Sequence, residues 1–213
     1  AYVRWISDND AKDLFIYGIE GMYDTVEQLT YTSHKETTLT VTIDDDITKI
    51  PSKAFKGFSQ MTTISIPATV ESIASVDVFD ECDSLTAINV AESEWYRSDS
   101  GVLIDKQQHT LMKYPVARPA ESYTIAEDIT VLGERSFESS KHLTTIEITA
   151  GIATINQYAF RYCQSLASFT VATGNTKFTT NGNDGVLYEK LTGESESWKM
   201  IQYPLKKEGD KYT

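Results

Sequence analysis

Apolar residues recur along this chain in the same order four times, with a period of about 23 residues. Each copy has several isoleucine or valine positions, then a Phe, and ends in the pattern Leu-x-x-Ile-x-Ile or a close variant. The four copies lie near residues 43–66, 66–90, 125–148 and 148–171. The alternation of polar and apolar residues in x-Ile-x-Ile predicts a short strand with one buried face.

A single repeat of this kind cannot bury its apolar face, so neighbouring repeats must stack and share one core. Parallel strands from successive repeats would then lie about 4.8 Å apart. One Phe occurs at the same place in every copy and is predicted to form a column of rings inside the stack: Phe55, Phe79, Phe137 and Phe160. The pattern therefore predicts a β-rich solenoid with short parallel strands and irregular or short helical turns.

A second pattern, here called the cassette, occurs twice, near residues 91–123 and 172–213. Each cassette has a Gly-Val-Leu segment, beginning at Gly101 or Gly185, and a later Tyr-Pro pair at Tyr114 or Tyr203. Two apolar segments around a polar turn are typical of a β-hairpin, and proline ends a strand because it lacks an N–H donor. We expect each cassette to be a β-hairpin inserted between repeats and packed against them.

Residues 1–38 do not fit the repeat. Apolar segments near Trp5 and Phe15 flank a polar turn, and a second pair, near Leu29 and Leu39, flanks another. We interpret these segments as two hairpins that cap the open edge of the first repeat, because a bare edge would pair with other chains. The end of an upstream domain is the alternative.

The repeats and cassettes resemble the BspA-like leucine-rich-repeat family of bacterial surface proteins. The resemblance rests on the Ala-Phe or Val-Phe pairs ending at Phe55, Phe79 and Phe160, on Cys82 and Cys163 three residues after their Phe, and on the cassettes. It covers residues 39–213 and implies a right-handed leucine-rich-repeat solenoid there. It also implies a secreted or cell-surface bacterial protein used for adhesion or binding, without a common active site.

The charge balance argues against one class of partner. The chain has 31 acidic and 19 basic residues, a formal net charge of −12. An acidic surface repels phosphate backbones, so nucleic acid is not expected as a partner. No apolar stretch approaches the roughly 20 residues of a membrane-spanning helix, and the first residues do not read as a signal peptide. We expect a monomer, extracellular or at the cell surface, with no signal or anchor in this chain.

Residues that carry chemistry are few and scattered. Cys82 and Cys163 occupy the same position in repeats at least two strand spacings apart, too far for a disulfide, and are interpreted as buried structural thiols. In the third repeat Ser140 stands at that position, which departs from the family pattern. The histidines share no metal-site spacing: His34, His109 and His142. We therefore expect neither a metal ion nor an organic cofactor.

Polar side chains between the paired isoleucines should point outward and form a ladder across the parallel strands: Thr42, Ser65, Asn89, Thr124, Glu147 and Thr170. Such a ladder can bind a peptide or a glycan, or it can be inert, since threonine is favoured at exposed strand positions. Trp95 and Trp198 lie in the cassettes. They can stack on a sugar, anchor a protein partner or pack the cassette onto the repeats.

The leading hypothesis is a non-enzymatic adhesion module that binds a protein of the matrix or the surface of a host or neighbouring cell. A glycan-binding module is its nearest variant, and a structural spacer within a longer surface protein is the alternative from another class. An enzyme would need convergent acids in a cleft, for example Asp99, Asp105 and Glu127, and their spacing does not predict that geometry.

Overall fold

The computed structural model describes residues 2–8, 11–17, 35–74, 76–180, 184–191 and 197–207, and of the first two segments only the Asp13 and Leu14 side chains. The chain divides into two compact units, Ala1–Arg118 and Pro119–Thr213. Both consist of short strands, and parallel strands from successive repeats stack in each. The predicted β-rich solenoid is therefore confirmed.

The first unit contains ten strands and one 3-10 helix in its described residues. The strands are β1 (Tyr2–Asp8), β2 (Ala11–Tyr17), β3 (Thr40–Ile43), β4 (Lys49–Ile50), β5 (Thr63–Ile66), β6 (Ser72–Ile73), β7 (Ala87–Val90), β8 (Tyr96–Asp99), β9 (Val102–Asp105) and β10 (Thr110–Lys113), and the helix spans Val76–Phe79. Strands β2, β3, β5 and β7 are parallel neighbours in that order. Strand β4 pairs in parallel with β6, and β8, β9 and β10 form an antiparallel sheet.

The second unit repeats this arrangement. Its strands are β11 (Ser122–Thr124), β12 (Val131–Leu132), β13 (Thr145–Ile148), β14 (Thr154–Ile155), β15 (Ser168–Val171), β16 (Phe178–Thr179), β17 (Leu187–Leu191) and β18 (Ser197–Gln202). Strands β11, β13 and β15 are parallel, as are β12 and β14. Strands β16, β17 and β18 form an antiparallel sheet. No helix in the described parts of either unit is long and apolar enough to span a bilayer.

The strands bury alternate residues, as the period of two predicts. In β5, Ile64 and Ile66 are buried, while Ser65 between them is exposed. In β13, Ile146 and Ile148 are buried and Glu147 is partly exposed. The inward residues of successive strands form the core of each unit, and the outward residues form its ladder.

The predicted column of phenylalanine rings is present in both units. Phe55 stacks on Phe79 with ring centroids 6.0 Å apart, and Phe137 stacks on Phe160 at 5.5 Å. The backbones are joined at the same place, because the Phe55 and Phe137 N–H groups donate to the carbonyl preceding the next Phe, at 3.0 and 2.8 Å. Phe55 and Phe137 therefore each join two repeats through the ring and the backbone.

Left-handed backbone flanks these phenylalanines, two residues before and two residues after. The residues with positive φ are Lys53, Gly57, Glu81, Arg135, Ser139, Tyr158 and Tyr162. In this conformation the Arg135 and Ser139 N–H groups donate to carbonyls of the next repeat, at 3.2 and 2.8 Å. In the second repeat the first of these positions is Asp77, which has no positive φ and lies in the 3-10 helix Val76–Phe79.

The cassettes contain one strand more than the predicted hairpin. Strand β8 precedes β9 and β10 in the first cassette, and β16 precedes β17 and β18 in the second. The added strands begin at buried aromatic residues, Tyr96 and Phe178. The Tyr96 hydroxyl also accepts the Ile73 N–H at 2.9 Å, which ties the cassette to the second repeat.

A glycine joins each cassette to a repeat. The Gly101 carbonyl accepts the Ile88 N–H at 2.9 Å, and the Gly185 carbonyl accepts that of Phe169 at 2.9 Å. Gly101 has a φ of +86°, and a Cβ placed on it would lie 2.8 Å from the Ala87 Cβ. Only glycine tolerates both the left-handed backbone and the close approach.

The segment before the repeats is described in part. Strands β1 and β2 form an antiparallel hairpin, and β2 pairs in parallel with β3, so the hairpin extends the edge of the first sheet. The first segment of the second predicted hairpin, near Leu29, lies outside the described residues, and its second segment, near Leu39, leads into β3. The role of residues 1–38 as a cap or as part of an upstream domain stays a prediction.

Gly101→Ala should lower the free energy of unfolding by about 2 kcal/mol or more, because it adds an overlap with Ala87 to the strain of the left-handed backbone. Gly57→Ala is the matched control. Gly57 has a φ of +84°, but the nearest atom to an added Cβ lies 3.8 Å away. This variant should lose only about 1 kcal/mol. Urea denaturation of both variants measures the difference, and equal losses would contradict the proposed close contact.

Candidate binding surfaces

Three of the predicted ladder residues align in the first unit. Thr42 pairs with Ser65, and Ser65 pairs with Asn89, in the parallel register of β3, β5 and β7. Ser65 and Asn89 are exposed and Thr42 is half-buried. A shallow groove of about 430 Å³ lies beside them, and its lining includes Asp45 and Pro67. Ser65 and Asn89 of this row line the groove, and Thr42 does not.

The other three ladder residues align in the second unit. Thr124 pairs with Glu147, and Glu147 pairs with Thr170. The Thr124 hydroxyl donates to the Glu147 carboxylate at 2.9 Å, so part of the hydrogen-bonding capacity of this row is used within it. The structure brings each row into register, and the role of either row in binding stays a prediction.

The two cassette tryptophans are neither fully buried nor grouped with the ladder residues. Trp95 is 37% exposed, just before β8. Trp198 is half-buried and pairs with Lys190 in the β17–β18 sheet. Both retain some accessible ring surface, and their role in binding also stays a prediction.

The cysteines are buried and hydrogen-bonded. The Cys82 thiol lies 3.1 Å from the Phe55 carbonyl, and the Cys163 thiol lies 3.0 Å from that of Phe137, so each points to the preceding repeat. Ser140 donates instead to Phe137 of its own repeat, at 2.6 Å. Burial raises the pKa of the Cys82 thiol to about 12, so this thiol stays protonated and unreactive near neutral pH.

The acids that the sequence singled out make local contacts in the described residues or are exposed, and the described histidines are exposed. Asp99 is held by the Arg97 guanidinium at 3.1 Å, and an Asp105 carboxylate oxygen accepts the Gln108 N–H at 2.8 Å. His109 and His142 are exposed, and His34 lies outside the described residues. Within the described ranges no three His, Cys, Asp or Glu side chains gather as metal ligands.

The most exposed apolar surface lies elsewhere, in the second unit. A groove of about 600 Å³ runs between the turn of the fourth repeat and strand β18. Four of the seven large hydrophobic side chains that are exposed in the described residues line it. We call it the aromatic groove and define it by Tyr158, Arg161, Tyr162, Lys199, Met200 and Leu205.

Arg161 contacts both tyrosine rings of the aromatic groove. Its guanidinium carbon is 5.0 Å from the Tyr158 ring centroid and 4.4 Å from that of Tyr162, so it makes cation–π contacts with both. Its Nη2 also donates to the Tyr162 hydroxyl at 2.6 Å. The two tyrosines occupy the left-handed positions on either side of Phe160, which direct their side chains outward.

Sequence reasoning missed this cluster because its residues lie in a turn, outside the apolar register. One signal was available in the sequence. No Asp or Glu occurs between Glu147 and Asp184, although the chain carries 31 acidic residues. This acid-free stretch contains the turn that bears Tyr158, Arg161 and Tyr162.

The chain matches the family model of the BspA type leucine rich repeat region in six copies, over residues 24–100 and 117–184. The match covers more than half of the sequence. The chain belongs to this family. The resemblance drawn from the phenylalanine and cysteine positions is therefore confirmed, and with it the leucine-rich-repeat character of the solenoid. No curated protein matches the chain.

Two solved structures of bacterial proteins are similar to this BspA-type chain. A leucine rich cell surface protein from Faecalibacterium prausnitzii A2-165 is 26% identical, with a TM-score of 0.64 over 80% of this chain and 45% of its own. The pneumococcal vaccine antigen PcpA is 21% identical, with a TM-score of 0.55 over 64% of this chain and 40% of its own. This chain thus spans less than half of the length of either protein, and the second likeness concerns the fold alone.

Alkaline pH should destabilise this protein in part through Cys82. The pKa of this thiol is 9.0 in its ordinary state and about 12 in the fold. This group therefore leaves the free energy of unfolding unchanged below pH 9.0. As the pH rises from 9.0 toward 12, it lowers the free energy of unfolding by about 1.4 kcal/mol per pH unit. Urea denaturation from neutral to alkaline pH measures the loss.

Cys82→Ser keeps a donor for the Phe55 carbonyl but removes the titrating thiol. Its stability should fall less steeply with pH than that of the parent protein. Parallel curves for the two proteins above pH 9.0 would show that the Cys82 thiol does not carry the effect.

Proposed function

We propose that this BspA-type chain is a non-enzymatic surface module that binds a protein of a host or neighbouring cell. The family and the likeness to a leucine rich cell surface protein support a position at the cell surface. The observation that carries the binding proposal is the aromatic groove. Tyrosine, arginine and methionine are enriched in protein interfaces, where clusters of them hold most of the binding energy.

The ladder supports the alternative of a structural spacer in one respect. The Thr124–Glu147 hydrogen bond shows that polar ladder residues can satisfy one another across adjacent strands. A row of this kind needs no ligand, and a spacer needs only a stable stack. A spacer, however, has no use for a groove that exposes tyrosine, methionine and leucine side chains, because exposed apolar patches favour unwanted association.

A binding screen of the purified chain tests the proposal. Immobilised matrix and plasma proteins are presented beside a glycan array at physiological salt. We expect saturable binding to a protein, weakened about tenfold or more by the double variant Tyr158→Asn, Tyr162→Asn, which removes both rings. Asparagine suits this variant because it tolerates left-handed backbone, so the turn should keep its conformation.

Two matched variants locate the site. Trp95→Ala with Trp198→Ala removes the cassette rings, and Ser65→Arg with Asn89→Arg blocks the ladder of the first unit. Both should bind like the parent protein. Loss of binding in the ladder variant alone would move the site to the row of Thr42, Ser65 and Asn89. Binding to glycans alone would favour the glycan-binding variant, and no binding at all would favour the spacer.

A further inference from the structure

We propose that the aromatic groove receives an acidic side chain of its protein partner on Arg161, with apolar neighbours of that side chain seated on Tyr158, Tyr162 and Met200. The inference rests on the proposed protein-binding function and adds the chemistry that the partner must present. Arg161 is the residue that makes the groove prefer an acidic side chain.

Arg161 is held in place and keeps donors for a ligand. A guanidinium has five N–H donors in one plane. Of these, one donates to the Tyr162 hydroxyl at 2.6 Å. The Glu138 carboxylate forms an ion pair with Nε at 3.9 Å, a distance at which no hydrogen bond forms. Cation–π contacts with two rings restrict the guanidinium, and a restricted guanidinium favours two parallel hydrogen bonds to one carboxylate.

The groove lining is basic although the chain as a whole is acidic, and the carboxylates paired with its two cations lie outside the lining. Its lining includes two cations, Arg161 and Lys199, and no Asp or Glu. Lys199 is ion-paired at the surface, where its Nζ donates to the Glu189 carboxylate at 3.4 Å. In a chain with a net charge of −12, a lining of this composition selects an anionic partner locally while the remaining surface repels it.

The apolar side chains favour a protein over a sugar as the anionic partner. Met200 and Leu205 are 44% and 59% exposed beside the tyrosines. Aliphatic and thioether side chains adapt to apolar side chains of a partner, whereas a sugar hydroxyl would lose water against them without gaining a hydrogen bond. A peptide segment in which an acidic residue lies between apolar ones therefore complements the groove.

The backbone supports a role for the two tyrosines beyond the fold. Tyr158 and Tyr162 have φ values of 61° and 58°, in the left-handed region that disfavours side chains with a Cβ. Their equivalents in the first and third repeats are not aromatic: Lys53, Gly57, Arg135 and Ser139. The fold does not require aromatic rings at these positions. Residues in such conformations cluster at ligand clamps.

A pair of short amidated peptides tests the chemistry directly. Both are flanked by serine and contain leucine and phenylalanine, and they differ only in carrying glutamate or glutamine between these residues. Amide NMR titrations of the full chain should show shifts at Tyr158–Tyr162, with about fivefold tighter binding of the glutamate peptide. That preference should shrink as salt rises from about 50 mM to about 500 mM, where charges are screened.

Arg161→Gln should abolish the preference for glutamate, and Arg161→Lys should reduce it, because lysine keeps the charge without the planar donors. Lys177→Gln is the matched control, since it removes the same charge from an exposed position outside the groove lining and should bind like the parent protein. Equal affinity for the two peptides would overturn the inference. So would identical effects of Arg161→Gln and Lys177→Gln.

Two further outcomes would overturn the proposal that Arg161 receives an acidic side chain of a protein. Tighter binding of a polyuronate than of the glutamate peptide would overturn the inference in favour of an acidic glycan. If the screen finds a protein ligand whose binding Arg161→Gln leaves unchanged, protein binding stands and the assignment of Arg161 falls. If the screen finds no ligand, the peptide pair still tests whether the groove selects carboxylates.

Discussion

The structure depends on three contacts that join the phenylalanine of one repeat to the next repeat. The ring of Phe137 stacks on Phe160, the Phe137 N–H donates to the next repeat, and its carbonyl receives the Cys163 thiol. The same three links join Phe55 to the second repeat through Phe79 and Cys82. A repeat that cannot bury its own apolar face is therefore joined to its neighbour by ring packing and by hydrogen bonds that leave its buried backbone satisfied.

This link also determines where the sequence is free to vary. The chain turns sharply after each Phe, and before three of the four, with left-handed residues that lie outside the apolar register. The fold constrains the backbone at these positions but not the chemistry of the side chain. Lysine, glycine, arginine, serine and tyrosine all occur there. A surface for recognition can therefore change at these turns without changing the stack.

Much of the fold could be predicted because burial makes the apolar residues recur at a regular spacing along the sequence. The inward isoleucines, the phenylalanine column and the register of Ser65 with Asn89 all follow from alternation along strands of known spacing. The third strand of each cassette was not predicted, since β16 has only two residues and forms through the burial of Phe178. The Tyr158–Arg161–Tyr162 cluster was missed for a related reason. It depends on turn geometry and on a stretch without acidic residues, and neither feature recurs regularly along the sequence.

The tyrosines of the aromatic groove show how function and stability oppose each other in this fold. A side chain in left-handed backbone costs about 1 kcal/mol relative to glycine, and an exposed cation–π contact returns only about 0.5–1 kcal/mol. Two such residues in one turn therefore add nothing to the stability of the fourth repeat. The contacts of the core phenylalanines can offset the free energy lost in this turn, because they join two repeats and do not involve the side chains of these tyrosines. The stack supplies the stability, and the turns are left free to hold rings and a guanidinium where a partner can reach them.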